Sequence, residues 1–174
     1  MGAIPIEPDL RARIEDFLAA IVQAIDEGDF DRWPEFFSED GFYQIIPRAS
    51  FEAGHPLGIM TCAGRGMMRD RVAALQGANI YEPHTYCHLW ARPILSRPAP
   101  RDGSRGGPNE AEGTVLARTN FALYRTMQSR GTELFAAGSY RDRIALEEEG
   151  TLRLKSRHVV LESRRVDILI VLPI

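Results

Sequence analysis

A chain of 174 residues, 44% of them hydrophobic and 26% charged, has the composition of a globular protein with one core. Its formal net charge is −3, so it is not the basic protein expected of a nucleic-acid binder. No run of about 18 apolar residues occurs, which predicts that no segment spans a membrane. The N-terminus lacks the pattern of a signal peptide, and we expect Cys62 and Cys87 to be free thiols in the cytoplasm.

Apolar residues repeat with helical spacing in three segments of the first half. Over residues 14–25 they follow the i, i+3, i+4, i+7 rule of one buried stripe, and Gly28 is a suitable stop. Shorter helices are predicted over residues 30–37 and 66–77. Between them, a turn at Asp40-Gly41 leads into a predicted strand over residues 42–46, and residues 49–62 are expected to be irregular.

After Pro83 the period changes from that of a helix to that of a strand. Residues 84–91 alternate, which places four large side chains on one face: His84, Tyr86, His88 and Trp90. The same alternation predicts long strands over residues 114–127, 133–146 and 152–161, with a tight turn at residues 148–150. Within the last of these, it groups His158 with Leu154, and Arg157 with Arg153. A final apolar run covers residues 166–172.

Helices followed by a meander of long strands predict an α+β fold, in which the N-terminal helices pack on one face of a strongly curved, mostly antiparallel sheet. Gly138 in a strand interior suits a bend of this sheet. Residues 96–112 are rich in proline and glycine, and we predict a flexible hairpin loop there. Neither flank of that loop could form a core alone, so residues 1–174 are expected to form one domain.

Histidines are the residues most able to carry chemistry. His84 and His88 lie four residues apart, but on a strand this separation spans about 13 Å, too far to share one metal ion. The sequence also lacks the paired Cys and His of a Rieske centre, and two His placed for a mononuclear iron site. We therefore predict no metal site. A histidine could instead act as a general base oriented by Asp40 or Asp70, or both histidines could form hydrogen bonds at a packed surface or subunit contact.

Short segments spread over the chain resemble one family. They are residues 33–37 (WPEFF), 70–72, 74–75, 78–84 (ANIYEPH), 86–88, 133–140 (ELFAAGSY), 152–154 and 172–174. Through these segments the chain resembles the small, or β, subunits of Rieske-type aromatic-ring-hydroxylating dioxygenases, and among them the terephthalate branch. The resemblance implies a nuclear-transport-factor-like (cystatin-like) cone of helices on a curved sheet.

The resemblance also implies a partner and a role. The partner is a large (α) subunit that carries a Rieske 2Fe–2S cluster and a mononuclear iron, in a hexamer of three large and three small subunits that oxidises an aromatic carboxylate. The small subunit is then structural, with no catalytic, cofactor-binding or metal-binding residues of its own. An obligate contact buries on the order of 2,000 Å² or more and is rich in aromatics and Arg. Candidate contact residues are Tyr86, His88, Trp90, Arg141, Arg143, Arg153 and Arg157.

Two other functions are compatible with the same fold. One is a stand-alone isomerase, dehydratase or cyclase that uses His84 or His88 as the base in a closed pocket. The other is a non-catalytic ligand-binding or scaffold module. A pocket that holds a His–carboxylate pair would favour the enzyme, whereas an interior filled by side chains would count against it.

Overall fold

The computed structural model describes residues 6–77, 82–98, 113–163 and 173–174. These residues form three α-helices: α1 (Pro8–Asp26), α2 (Arg48–Glu52) and α3 (Arg65–Gly77). They also form seven strands: β1 (Phe37–Pro47), β2 (Met60–Ala63), β3 (His84–Trp90), β4 (Ile94–Ser96), β5 (Thr114–Met127), β6 (Gly131–Leu146) and β7 (Leu152–Leu161). Two short 3₁₀ helices cover Trp33–Phe36 and Glu148–Gly150.

The strands form one open sheet in the order β2-β1-β7-β6-β5-β3, and β4 also pairs with β5. Neighbouring strands are antiparallel except β1 and β7, which run parallel. The ladders shift register at three places, and each such irregularity increases the local bend and twist of a sheet. The predicted α+β architecture of helices on a mostly antiparallel sheet is therefore confirmed.

One face of the sheet, here called the inner face, packs against the helices. The apolar stripe of α1 is buried on it, as its periodicity predicts, and Trp33 is fully enclosed. The Trp33 indole meets the rings of Phe37 and Tyr43 edge to face, with centroids 5.7 and 5.0 Å away. The opposite face, here called the outer face, carries the alternate residues of each strand, including Arg118, Arg141 and His158.

The predicted helix over residues 30–37 is wrong at both ends. Only Trp33–Phe36 forms a 3₁₀ turn, and Phe37 already has an extended backbone. Phe37 is opposite Leu154 of β7, so pairing with the sheet and burial beside Trp33 override the helical pattern. The predicted turn at Asp40-Gly41 is also wrong, since both residues lie within β1 beside a register shift. Residues 49–62 are not all irregular, because α2 and β2 include part of them.

Strand β7 does not keep one alternation from end to end. Arg143 is opposite Ser156 while the next residue of β6, Ile144, is opposite Leu154, so Lys155 is an extra residue on β7. Such a bulge moves every following side chain to the other face. The predicted grouping of His158 with Leu154 is therefore wrong. Of the predicted loop at residues 96–112, Ser96 ends β4 and residues 99–112 lie outside the described residues, as does the run at 166–172.

Candidate functional site

Strand β3 places the predicted histidines at an edge of the sheet. It pairs with β5, and α1 packs against it. Tyr86 and His88 are buried on the inner face, with 5% and 7% of their surface exposed, as the alternation predicts. His84 is half-buried at the start of the strand, and its Nδ1 lies 2.9 Å from the carbonyl oxygen of Glu82.

Asp26, the last residue of α1, holds His88 at two points. One carboxylate oxygen lies 2.5 Å from Nδ1 of His88, and the other accepts the backbone N–H of His88 at 2.9 Å. The predicted carboxylate partners, Asp40 and Asp70, are therefore wrong. Asp40 accepts a hydrogen bond from Lys155 at the surface, and Asp70 lines a shallow cavity beside α3.

A local signal for Asp26 does exist in the sequence. The C-terminus of a helix carries a partial negative charge, so an acidic residue there is unfavourable. Helix α1 has no basic residue in its last turn and ends on Asp26. An acidic residue at this position indicates a partner outside the helix, although the sequence does not tell which residue that is.

The arrangement around His88 favours a structural role. With Nδ1 bound to Asp26, Nε2 is buried and has no hydrogen-bond partner among the described residues. The rings of Tyr86 and Phe121 lie 6.4 and 6.3 Å from the imidazole, centroid to centroid. Two stacked pairs lie in the neighbouring interior, Tyr86 with Phe135 at 5.7 Å and Phe121 with Tyr140 at 4.3 Å. A histidine oriented by a carboxylate could serve as a base, but aromatic side chains pack around this one.

A second polar pair crosses the inner face between β6 and β7. Arg157 donates to both carboxylate oxygens of Asp142, at 2.9 Å each, and its guanidinium lies 4.4 Å from the Tyr140 ring centroid. Burial alone would lower the pKa of Arg157, but the Asp142 carboxylate raises that pKa above its usual value. Burial also raises the pKa of Tyr140, which stays neutral. Arg157 is thus enclosed within its own chain.

The other predicted arginines lie nearer the surface. Arg141 and Arg143 are on the outer face of β6, and Arg118 of β5 is directly opposite Arg141. A groove of about 440 Å³ crosses this face, and its lining includes Ile94, Leu116, Arg118, Arg141, Arg143 and His158. Arg153 is half-buried on β7 and contributes, after Arg69 and Arg65, to the lowered pKa of Glu35.

The described residues contain neither a cluster of metal ligands nor a membrane-spanning helix. In residues 6–77, 82–98, 113–163 and 173–174, no three His, Cys, Asp or Glu side chains group as metal ligands. Over the same ranges, no helix has the length and apolar character needed to cross a membrane. Both cysteines are free thiols, with Cys62 buried and Cys87 exposed.

Comparison with known proteins identifies the family. A family model described as SnoaL-like domain matches residues 7–158. The small subunit of anthranilate 1,2-dioxygenase from Burkholderia cepacia is 35% identical over 150 residues, which cover 86% of this chain and 85% of that protein. The β2 subunit of the terephthalate 1,2-dioxygenase terminal oxygenase component from Comamonas sp is 33% identical over 162 residues, covering 93% and 97%.

A solved structure agrees with both comparisons. A protein from Novosphingobium aromaticivorans, described as the β subunit of an aromatic-ring-hydroxylating dioxygenase, superposes with a TM-score of 0.77 at 33% identity. The match covers 94% of this chain and 96% of that one. The resemblance noted in the short sequence segments is confirmed over nearly the whole length. The chain belongs to the SnoaL-like family and, within it, to the small subunits of aromatic-ring-hydroxylating dioxygenases.

Proposed function

We propose that this chain is the structural small subunit of an aromatic-ring-hydroxylating dioxygenase and works together with a large catalytic subunit. The observation that carries the proposal is the 33–35% identity to dioxygenase small subunits over almost the full length of both chains. The packing beside His88 supports it, because two pairs of stacked aromatic rings lie next to this histidine. The large subunit would hold the Rieske cluster and the mononuclear iron, which supply the oxidation chemistry.

The substrate class we propose is an aromatic carboxylate. Two of the relatives are named for anthranilate and terephthalate, which are both aromatic carboxylates. Their identities to this chain are nearly equal, so the proposal extends to the class and not to either compound. We also propose a cytoplasmic location, which suits a chain with two free thiols.

For the assembly we propose three large and three small subunits. Of the predicted contact residues, Tyr86, His88 and Arg157 are buried within this chain. Contact with other subunits therefore falls to the residues that reach the surface, which are Trp90, Arg141, Arg143 and Arg153. This set suits a subunit contact, because the centres of such contacts are enriched in aromatic residues and arginine.

The test is expression of this chain with and without its large subunit. We expect the chain alone to be colourless and inactive, and the co-purified complex to hydroxylate an aromatic carboxylate such as terephthalate or anthranilate. Native mass spectrometry of the complex gives the subunit ratio. Turnover by the purified chain alone would overturn the proposal.

The variant His88→Ala separates the structural role from catalysis by this chain. In the assembled dioxygenase we expect the rate per large-subunit iron to remain that of the wild type, because His88 serves packing and not the reaction. The Thr85→Ala variant changes an exposed position on the same strand and serves as the matched control. A His88→Ala complex that is correctly assembled and iron-loaded but inactive would show that the imidazole takes part in the chemistry.

A further inference from the structure

Three arginines, Arg118, Arg141 and Arg143, line the groove on the outer face, and no carboxylate of the described residues forms an ion pair with them. Arg118 of β5 lies directly opposite Arg141 of β6, and Arg143 follows on the same face of β6. Within the described part of the chain, Arg118 and Arg143 have no hydrogen-bond or ion-pair partner. Arg141 donates to the hydroxyl of Ser139 at 3.2 Å. These three residues and the floor between them are here called the arginine groove.

The charges of the arginine groove repel one another. Like charges directly opposite on paired strands destabilise a sheet, and Arg118 and Arg141 are such a pair. Burial and the neighbouring Arg118 charge both lower the pKa of Arg141. The rest of the lining is mixed, with apolar Ile94 and Leu116 beside polar Ser96 and Ser156. Carboxylates are the natural complement, because guanidinium groups bind them with strong, paired hydrogen bonds.

The same chain carries exposed carboxylates on a tightly held turn. Residues 147–150, here called the acidic turn, join β6 to β7 and present Glu148 and Glu149 to solvent. Neither carboxylate has a hydrogen-bond or ion-pair partner among the residues that the structure describes. Glu149 adopts a φ of 57°, a left-handed conformation that is unfavourable for a residue with a Cβ.

Several hydrogen bonds hold the acidic turn in this conformation. The backbone N–H of Glu147 donates to Thr151 at 2.8 Å, and the Ser38 hydroxyl donates to the Glu147 carboxylate at 3.0 Å. The Arg13 guanidinium donates to the carbonyl oxygen of Gly150. The turn is therefore held from α1 and β1 and closed by its own backbone hydrogen bond to Thr151, and Glu148 and Glu149 are exposed on it.

We propose that the acidic turn of one small subunit enters the arginine groove of a second copy, where Glu148 and Glu149 pair with Arg118, Arg141 and Arg143. The inference rests on the proposed function, because it concerns the contact between small subunits of that assembly. Both complementary surfaces belong to this chain, which favours a second copy as the occupant.

The symmetry of such a contact follows from the two surfaces. A turn that meets a different patch of its neighbour forms a head-to-tail contact, and such contacts give a closed ring when the rotation between neighbours closes and an open filament when it does not. With three small subunits in the proposed assembly, three equal contacts close one ring. A face-to-face contact of two arginine grooves would instead bring six guanidinium groups together and is unfavourable.

Charge exchange tests the pairing in the assembled complex of large and small subunits. The groove variant is Arg118→Glu with Arg143→Glu, and the turn variant is Glu148→Arg with Glu149→Arg; all four positions are exposed, so the fold is retained. We expect each variant to weaken association between small subunits by about tenfold or more. The combination of both should restore association close to that of the wild type. Dilution of each complex followed by native mass spectrometry measures the association between small subunits.

A matched control changes two exposed arginines away from the groove. Arg92→Glu with Arg130→Glu makes the same change in net charge as the groove variant, and we expect association like that of the wild type. Added salt should weaken the wild-type contact, because exposed charges are screened.

Three results would overturn the pairing. The first is that the combined variant does not regain association. The second is that the groove variant loses the large subunit while the turn variant keeps all contacts, which would assign the groove to the large subunit. The third is that neither variant changes association. Failure of the wild-type chain to bind any large subunit would count against the proposed function instead, and the exchange would then be measured on the full chain alone.

Discussion

Arg157 donates to both carboxylate oxygens of Asp142 at 2.9 Å, in a position where neither side chain reaches solvent. The two residues are directly opposite on β6 and β7, so the pair joins the two strands from the inner face. A buried pair of this kind is satisfied only while both members are present. Such a pair adds little to stability by itself, but the loss of one member leaves a buried charge without its partner.

Removal of one member of the Asp142–Arg157 pair should strongly destabilise the fold. We expect Asp142→Ala to lower the free energy of unfolding by about 3–5 kcal/mol, because the Arg157 charge is left buried without a partner. Urea denaturation of the purified chain measures this. The control is Asp40→Ala, which breaks an exposed pair with Lys155 and should cost at most about 1 kcal/mol. Equal effects of the two substitutions would contradict the role given to the buried pair.

Gly138 allows β6 and β7 to approach closely. A Cβ at this position would lie 2.3 Å from the Val160 carbonyl oxygen and 3.2 Å from the Leu161 Cα, both backbone atoms that cannot move aside easily. We expect Gly138→Ala to destabilise the fold by about 1–3 kcal/mol, measured as a loss in thermal and urea midpoints. Gly66→Ala, where a Cβ meets open space, should change stability by no more than about 1 kcal/mol. A wild-type midpoint for Gly138→Ala would disprove the crowding argument.

His158 should make stability depend on pH. It packs between Phe42 and Phe51, with ring centroids 5.4 and 5.6 Å away, and burial lowers its pKa below the ordinary value. The unfolded chain then binds a proton at higher pH than the folded chain does, so stability falls as the pH drops below about 6.5. Below the folded pKa the loss is complete and levels off.

The measurement compares urea midpoints of the wild type and His158→Gln at pH 7.5 and pH 5.5. Carboxylates affect both proteins alike, so the difference between the two pH dependences isolates the imidazole. We expect the variant to lose less stability on acidification. A variant with the full acid loss of the wild type would show that His158 does not contribute.

The two thiols should react at different rates. Cys62 is buried, and burial raises the pKa of its thiol, so little of the reactive thiolate forms. Cys87 is exposed on β3. In the native chain, iodoacetamide should label Cys87 first, and Cys62 should follow only after denaturation. Mass spectrometry of digested protein identifies the labelled site, and early modification of Cys62 would be inconsistent with its enclosure.

The sequence predicts the elements whose periodicity is uninterrupted. The apolar stripe of α1 and the alternation of β3 and β5 are confirmed, because burial of one face determines both patterns. Prediction from the sequence fails where a single residue interrupts the periodicity of a strand or helix. The bulge at Lys155 carries Arg157 into the interior, and no local signal marks it. Likewise, Asp26 and His88 meet across a long separation in the chain, which only the packing of α1 on β3 creates.

The parallel pairing of β1 with β7 has a consequence for synthesis. In the sheet, β1 lies between β2 and β7. Phe42 and the β1 residues after it pair with Ser156 and the β7 residues after it, which lie near the C-terminal end of the described chain. While the ribosome is still translating β7, β1 can pair only with β2, and Trp33 and Tyr43 have no complete core to enter. Such high contact order slows folding and prolongs exposure of apolar surface. The core of the nascent chain can therefore be completed only after β7 has emerged from the ribosome. Chaperones that shield the chain until then should raise the yield of folded protein.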